Sequence, residues 1–137
     1  MKIKFGILVV CFAALVLVTT LPLFGHHSFS AQFDASKAIR LKGVLTKVEW
    51  GNPHIYFYLD VKDEDGTVMK WTFEGGSPTA LSRRGFKRND IKLGDTIVVD
   101  GYRARDGSRL VDAQRIALAD GRIISGVSGD NGAPPAP

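Results

Sequence analysis

Cysteine is almost missing from this sequence: the 137 residues contain one, Cys11. It lies inside an apolar run, so everything after that run has no thiol at all. That excludes a disulfide scaffold, a thiolate-ligated zinc site and a cysteine nucleophile. Histidine is scarce too, with three copies, His26, His27 and His54. A strong excess of one charge is also lacking. The 18 basic and 14 acidic residues give +4, and two of the lysines, Lys2 and Lys4, precede the apolar run. The remaining balance is too even for a protein that binds nucleic acid by electrostatics, so nucleic acid is not an expected partner. The chain is too short for a multidomain enzyme. It contains no Ser-His-Asp grouping and no phosphate-binding loop. Glu49 and Glu74 can be drawn as an acid/base pair, but neither has a context that suggests a shifted pKa. Catalysis has no positive signal.

What is present begins with targeting. Residues Phe5 to Phe24 are twenty consecutive positions without a charge, behind Lys2 and Lys4. A basic start and an apolar run are the features that export machinery recognises, and Gly25 is the small residue at the end of the run. Residues 1–25 are therefore expected to be a signal peptide, cut after Gly25 to leave His26 first. The competing expectation is an uncleaved anchor, because twenty apolar residues can cross a bilayer. Cleavage is favoured because no charge flanks the run until Asp34. Association with a membrane is expected only if the segment stays. Either way the folded part is expected outside the cytoplasm, periplasmic or secreted.

The rest is patterned as short strands. Ile39 to Trp50 is a long extended run, with Gly43 the expected site of a bend or bulge by its lack of a side chain. Ile55 to Lys62 alternates, with Ile55, Phe57, Leu59 and Val61 on one side and Tyr56, Tyr58, Asp60 and Lys62 on the other. Asp63-Glu64-Asp65-Gly66 is a hairpin turn into Val68 to Glu74, whose apolar face is Met69, Trp71 and Phe73. Ser77-Pro78 starts a helix of about two turns that Gly85 stops. Thr96 to Tyr102, Leu110 to Leu118 and Arg122 to Ile124 are the later strands. The expected fold is all-β with one short helix, a small five- to six-stranded OB-like barrel over residues 39–124. A small sandwich is the alternative. Residues 26–38 are expected to be extended, and the Gly-, Ser- and Pro-rich stretch 125–137 is expected to be a disordered tail.

Two sets of residues can carry chemistry. A mature N-terminal His26 would offer its amine and ring to one ion, with His27 or His54 completing a planar nitrogen set that suits copper(II). Solvated terminal histidines, with His54 serving its own turn, explain the same residues without a metal. The second set is a ligand surface: Trp50 at the rim, Tyr56 and Tyr58 on the polar side of their strand, and Lys70, Thr72 and Glu74 facing them. Aromatic rings on such barrels stack on ligands, whereas outward tyrosines on a half-buried strand are also ordinary. With nucleic acid set aside, the candidate ligands are an unknown small molecule, a glycan, a peptide or an envelope protein. Arg83, Arg84, Lys87 and Arg88 form the one dense basic cluster, suited to an anionic partner or lipid headgroups, or to a solvated helix end.

Several stretches together resemble a known family. They are His26-His27-Ser28-Phe29 with Phe33-Asp34, Glu49-Trp50-Gly51-Asn52-Pro53-His54, Trp71-Thr72-Phe73-Glu74 with Ser77-Pro78, and Gly94-Asp95 with Gly101 to Ser108. The resemblance is to small exported bacterial proteins with a domain of unknown function. It covers nearly all of the chain after the leader and implies export and one small β domain, but no activity. Members look to end their leader on alanine before the paired histidines, where this chain has Gly25. The expectation is thus an exported, non-catalytic binding module. The alternatives are a copper-binding, possibly redox, protein using the terminal histidine and a structural partner of a larger envelope enzyme.

The exported protein should show an intact mass that begins at His26. Cu(II) titration of that protein should lose its tightest site in a His26→Ala/His54→Ala variant. Equal copper affinity in the two proteins would dispose of the metal site.

Overall fold

The computed structural model describes residues 28–129 and 131–135. The expected signal peptide, its expected cleavage point and both His26 and His27 lie outside the described residues. Six strands form one sheet: β1 (Phe33–Trp50), β2 (Ile55–Lys62), β3 (Val68–Glu74), β4 (Thr96–Ala104), β5 (Leu110–Ala117) and β6 (Ile123–Ser125). Among the described residues two short helices accompany them, α1 (Phe29–Gln32) and α2 (Pro78–Arg83), with one 3₁₀ turn at Arg88–Asp90. The strand order is β3-β2-β1-β4-β5-β6, and β3 also pairs with β5 in parallel. Five strands therefore close into a ring, β1-β2-β3-β5-β4, in the OB-like order expected from the sequence. Among the described residues no helix is long and apolar enough to cross a membrane.

The ring exists because β1 serves two partners. Ala38 to Val44 pair with β4, and Val44 to Trp50 pair with β2. The handover needs Gly43, where a Cβ would lie 2.8 Å from the Asp60 carbonyl oxygen. The period-2 pattern of β2 sends Ile55, Phe57, Leu59 and Val61 into the core, where Phe73, Val99, Val111 and Ile116 meet them. Helix α2 starts as its sequence dictates. Ser77 Oγ accepts from Ala80 N at 3.2 Å with Pro78 in the first turn, and Gly85 (φ 82°) ends the segment. Leu81 and Phe86 from this segment are fully buried and close one end of the ring.

Two expectations need correction, and both concern the ends of the chain. Residues 26–38 are not simply extended: Phe29–Gln32 is helical and β1 begins at Phe33 rather than Ile39. The cause is a second apolar cluster on the outside of β4, where Phe29 and Phe33 stack at 5.9 Å and Phe29 meets the Tyr102 ring edge-on at 5.5 Å. The stretch expected to be a disordered tail is docked where it is described. Val127 is fully buried, its carbonyl accepts from Gly76 N at 2.6 Å, and its N–H donates to the Gln114 carbonyl at 3.1 Å. Tyr102 Oη donates to the Pro135 carbonyl at 2.7 Å. A composition poor in apolar residues conceals one valine and several backbone groups that find waiting partners.

β4 and β5 approach most closely at Gly101, beside a register shift, where a Cβ would lie 2.0 Å from the Asp112 carbonyl oxygen. Gly101→Ala should therefore lower stability by about 3 kcal/mol, because backbone on both strands must move. At Gly51 the nearest atom to a Cβ is 3.9 Å away, and Gly51→Ala should stay within ~0.5 kcal/mol of the parent in urea unfolding.

Candidate functional site

The hairpin register builds the outward face of β1, β2 and β3 in rows. Tyr56 stands between Glu49 of β1 and Glu74 of β3. Tyr58, two residues on, stands between Lys47 and Thr72. Adjacent strands lie about 4.8 Å apart, so each row is three side chains wide with a phenol at its centre. Tyr58 Oη donates to Glu49 Oε2 at 2.9 Å, and Lys47 Nζ bridges the same carboxylate while lying 4.9 Å from the Tyr58 ring centroid. The Lys47 ammonium and the Tyr58 hydroxyl hold the Glu49 carboxyl below its ordinary pKa. Burial, then the charge of the adjoining Glu74 carboxylate, pushes the Tyr56 phenol up to about 12. Both phenols therefore stay protonated and able to donate across the physiological range.

His54 precedes β2 and adds a nitrogen to the end of this face. Its Nδ1 lies 3.0 Å from the Gly75 carbonyl oxygen and 3.2 Å from Glu74 Oε1. Both partners are acceptors, so a proton on Nδ1 serves them together. The His54 and Tyr56 rings are 6.4 Å apart.

Beyond Glu74 the face continues onto β5 through the parallel pairing. Glu74 is opposite Asp112, and both are buried. Asp112 Oδ1 accepts from Asn131 Nδ2 at 2.7 Å, and Asp112 Oδ2 accepts from Gln114 Nε2. Gln114 Nε2 also donates to Ser128 Oγ at 2.6 Å. Burial pushes the Asp112 carboxyl up to about 6, although these amide donors favour its charged form. Glu74 adds a second negative charge nearby, which raises it further.

The structure divides the residues that the sequence singled out. Tyr56, Tyr58 and Glu74 share one surface with His54. Lys70 lies on the same face one row beyond Tyr58, opposite Asp60 and 3.5 Å from its carboxylate. Trp50 does not join them. It pairs with Ile55, takes the inward parity of β1 and packs against Phe86 at 5.8 Å. Of the three histidines proposed for copper, His54 alone is described, and no group of three His, Cys, Asp or Glu side chains among the described residues is arranged to hold a metal ion. Asp112, Gln114, Ser128 and Asn131 went unnoticed in the sequence. The available signal was Asp112 and Gln114 alternating with Val111 and Ala113 inside a strand whose only other polar residue is Arg115.

The raised Asp112 pKa has a definite sign. From an ordinary 3.8 to about 6, the fold prefers the protonated acid. This contribution is fully present below the ordinary value and is lost as pH rises through about 6. Asp34, Asp65, Asp90, Asp106 and Asp120 are lowered by their hydrogen-bond donors and act in the opposite direction. Asp112→Asn isolates the buried group. Relative to the parent, the variant should gain on the order of 2 kcal/mol between about pH 4 and about pH 7 in urea unfolding. A pH-independent difference would contradict a buried acid at this position.

No curated protein matches the chain. Residues 14–112, from within the apolar run through the paired histidines to Asp112 itself, match the family of unknown function DUF6152. The match spans well over half of the sequence, and the chain belongs to that family.

Proposed function

We propose that the protein is an exported, non-catalytic binding module whose ligand is a glycan, held on the outward face of β2 and its neighbours. The observation that carries this reading is the row Glu49–Tyr56–Glu74 beside the row Lys47–Tyr58–Thr72. A sugar ring has an apolar C–H face and a rim of hydroxyls. The first suits a tyrosine ring, and the second suits the exposed Glu49 carboxylate at its flank, whose remaining lone pairs accept from hydroxyl donors. The tyrosine rings are half-buried and braced by neighbours, so little side-chain entropy is lost when a ligand lands on them. Support for export comes from the basic start and apolar run before Gly25. A non-catalytic role is favoured because both carboxylates are already engaged, Glu49 by Lys47 and Tyr58 and Glu74 by His54.

A second reading, a copper site using His26, His27 and His54, draws support from one chain of contacts. Phe29 N donates to the Asn131 carbonyl at 3.1 Å, Asn131 holds Asp112, and Asp112 adjoins Glu74, the partner of His54. The chain thus enters the domain a few contacts from His54. The copper titration described above decides this reading.

The glycan reading is tested by NMR titration with N-acetylglucosamine oligomers. Shifts should concentrate at Tyr56, Tyr58, Thr72 and Glu74. Tyr58→Ala should weaken binding at least about tenfold, near 1.4 kcal/mol. Absence of saturable binding, or equal affinity in the variant, would reject the surface.

A further inference from the structure

A second concave surface lies at the end of the ring, away from the tyrosine rows. Helix α2 and the 3₁₀ turn at Arg88–Asp90 cross this end and leave a groove of about 450 Å³. Trp50, Phe86 and Pro78 form its apolar part, and Arg83, Lys87 and Arg88 stand around it. Its volume falls in the range of about 300–1,000 Å³ common to small-molecule sites. Trp50 is only partly buried, so one side of the indole faces the groove while Phe86 supports it from below at 5.8 Å.

The charges around this groove are one-sided. No acidic side chain lines it. None of the ion pairs between described residues involves Arg83, Lys87 or Arg88. Asp90 is close enough for its charge to be felt by Lys87, but its oxygens are taken. Oδ1 accepts from Arg122 at 3.0 Å and Oδ2 from the Lys87 backbone at 2.6 Å. Arg84 behaves differently from its neighbour, because its guanidinium lies against the turn at Gly126. Complementing the carbonyl end of α2 accounts for Arg83. It does not account for Lys87 and Arg88, which follow the reversal at Gly85. Arg83, Lys87 and Arg88 are exposed, and the one carboxylate near them, Asp90, is shared with Arg122, so the cations outnumber it and favour an anion.

We propose that this groove binds a small organic anion with a flat apolar body. The ring lies on Trp50, and the carboxylate, phosphate or sulfonate group meets Arg83, Lys87 and Arg88. Neither half of the groove explains the other: a bare anion has no use for the indole, and a neutral ring has none for three cations. The ligand class differs from that of the tyrosine face, so the two surfaces are independent.

The test uses 1-naphthyl phosphate as probe, with 1-naphthylmethanol and inorganic phosphate as its two halves, followed by NMR on the full exported chain. Naphthyl phosphate should bind saturably, shift residues 78–88, and bind at least about tenfold more tightly than either half. Arg83→Ser/Arg88→Ser changes two exposed positions, and its spectrum reports directly whether the fold is kept. That variant should lose about tenfold in affinity for naphthyl phosphate and nothing for naphthylmethanol. Equal binding of the neutral alcohol, shifts elsewhere, or unchanged affinity in the variant would overturn the proposal. Binding to phosphatidylglycerol vesicles without a response to naphthyl phosphate would replace the small molecule by a membrane surface, and would overturn it equally.

Discussion

The ring closes through three residue pairs, Thr72 with Leu110, Phe73 with Val111 and Glu74 with Asp112. Without this short parallel contact the molecule would be an open sheet with two unpaired edges, a form prone to edge-to-edge association. Closure has a chemical consequence. The last pair puts two acids side by side, and the fold must offset their mutual repulsion. It does so with His54 on Glu74 and with two amides, Gln114 and Asn131, on Asp112. Gln114 is itself braced by Ser128, and Asn131 follows β6, so both amides depend on the stretch after β6. The end of the chain is thereby drawn into the ring's own stability.

The same closure explains why the tyrosine face and the aromatic groove are separate. Side chains alternate along β1, so Glu49 faces outward with Tyr56 while Trp50 turns inward with Ile55. One residue of sequence separates them, and the wall of the ring lies between. The groove then owes its shape to α2 and Phe86, which cap the core, and its charge to the residues that follow the helix. A small β domain thus presents two chemically unlike surfaces without needing a second domain.

How much of this the sequence made legible depends on the range of the interaction. β2 was readable because its alternation is local and one face is wholly buried. The α2 start was readable because Ser77 and Pro78 act within a single turn. That Lys70, Thr72 and Glu74 face Tyr56 and Tyr58 was readable once the turn after Lys62 was placed, and the structure fixes which meets which. Asp112 was not readable as part of a site, because its neighbour Glu74 arrives only through ring closure. The ordered end was hidden for the same reason: Val127 contacts Gly75 and Phe57's neighbourhood, and Asn131 contacts Asp112, all distant in sequence. That Trp50 turns inward at its rim position was not readable, because a residue beside a turn carries little evidence of its own parity.

Asn131 makes three contacts at once: its carbonyl takes the N–H of Phe29, its side-chain amide holds Asp112, and its side-chain oxygen takes the N–H of Ala133. The first and last described stretches therefore meet on one patch of the outer wall. Over the described residues the backbone is nearly a loop. Its two ends could be joined by a short linker and the chain reopened at the exposed 63–67 turn, giving a circular permutant with every strand pairing intact. Connectivity, in this domain, is separable from architecture.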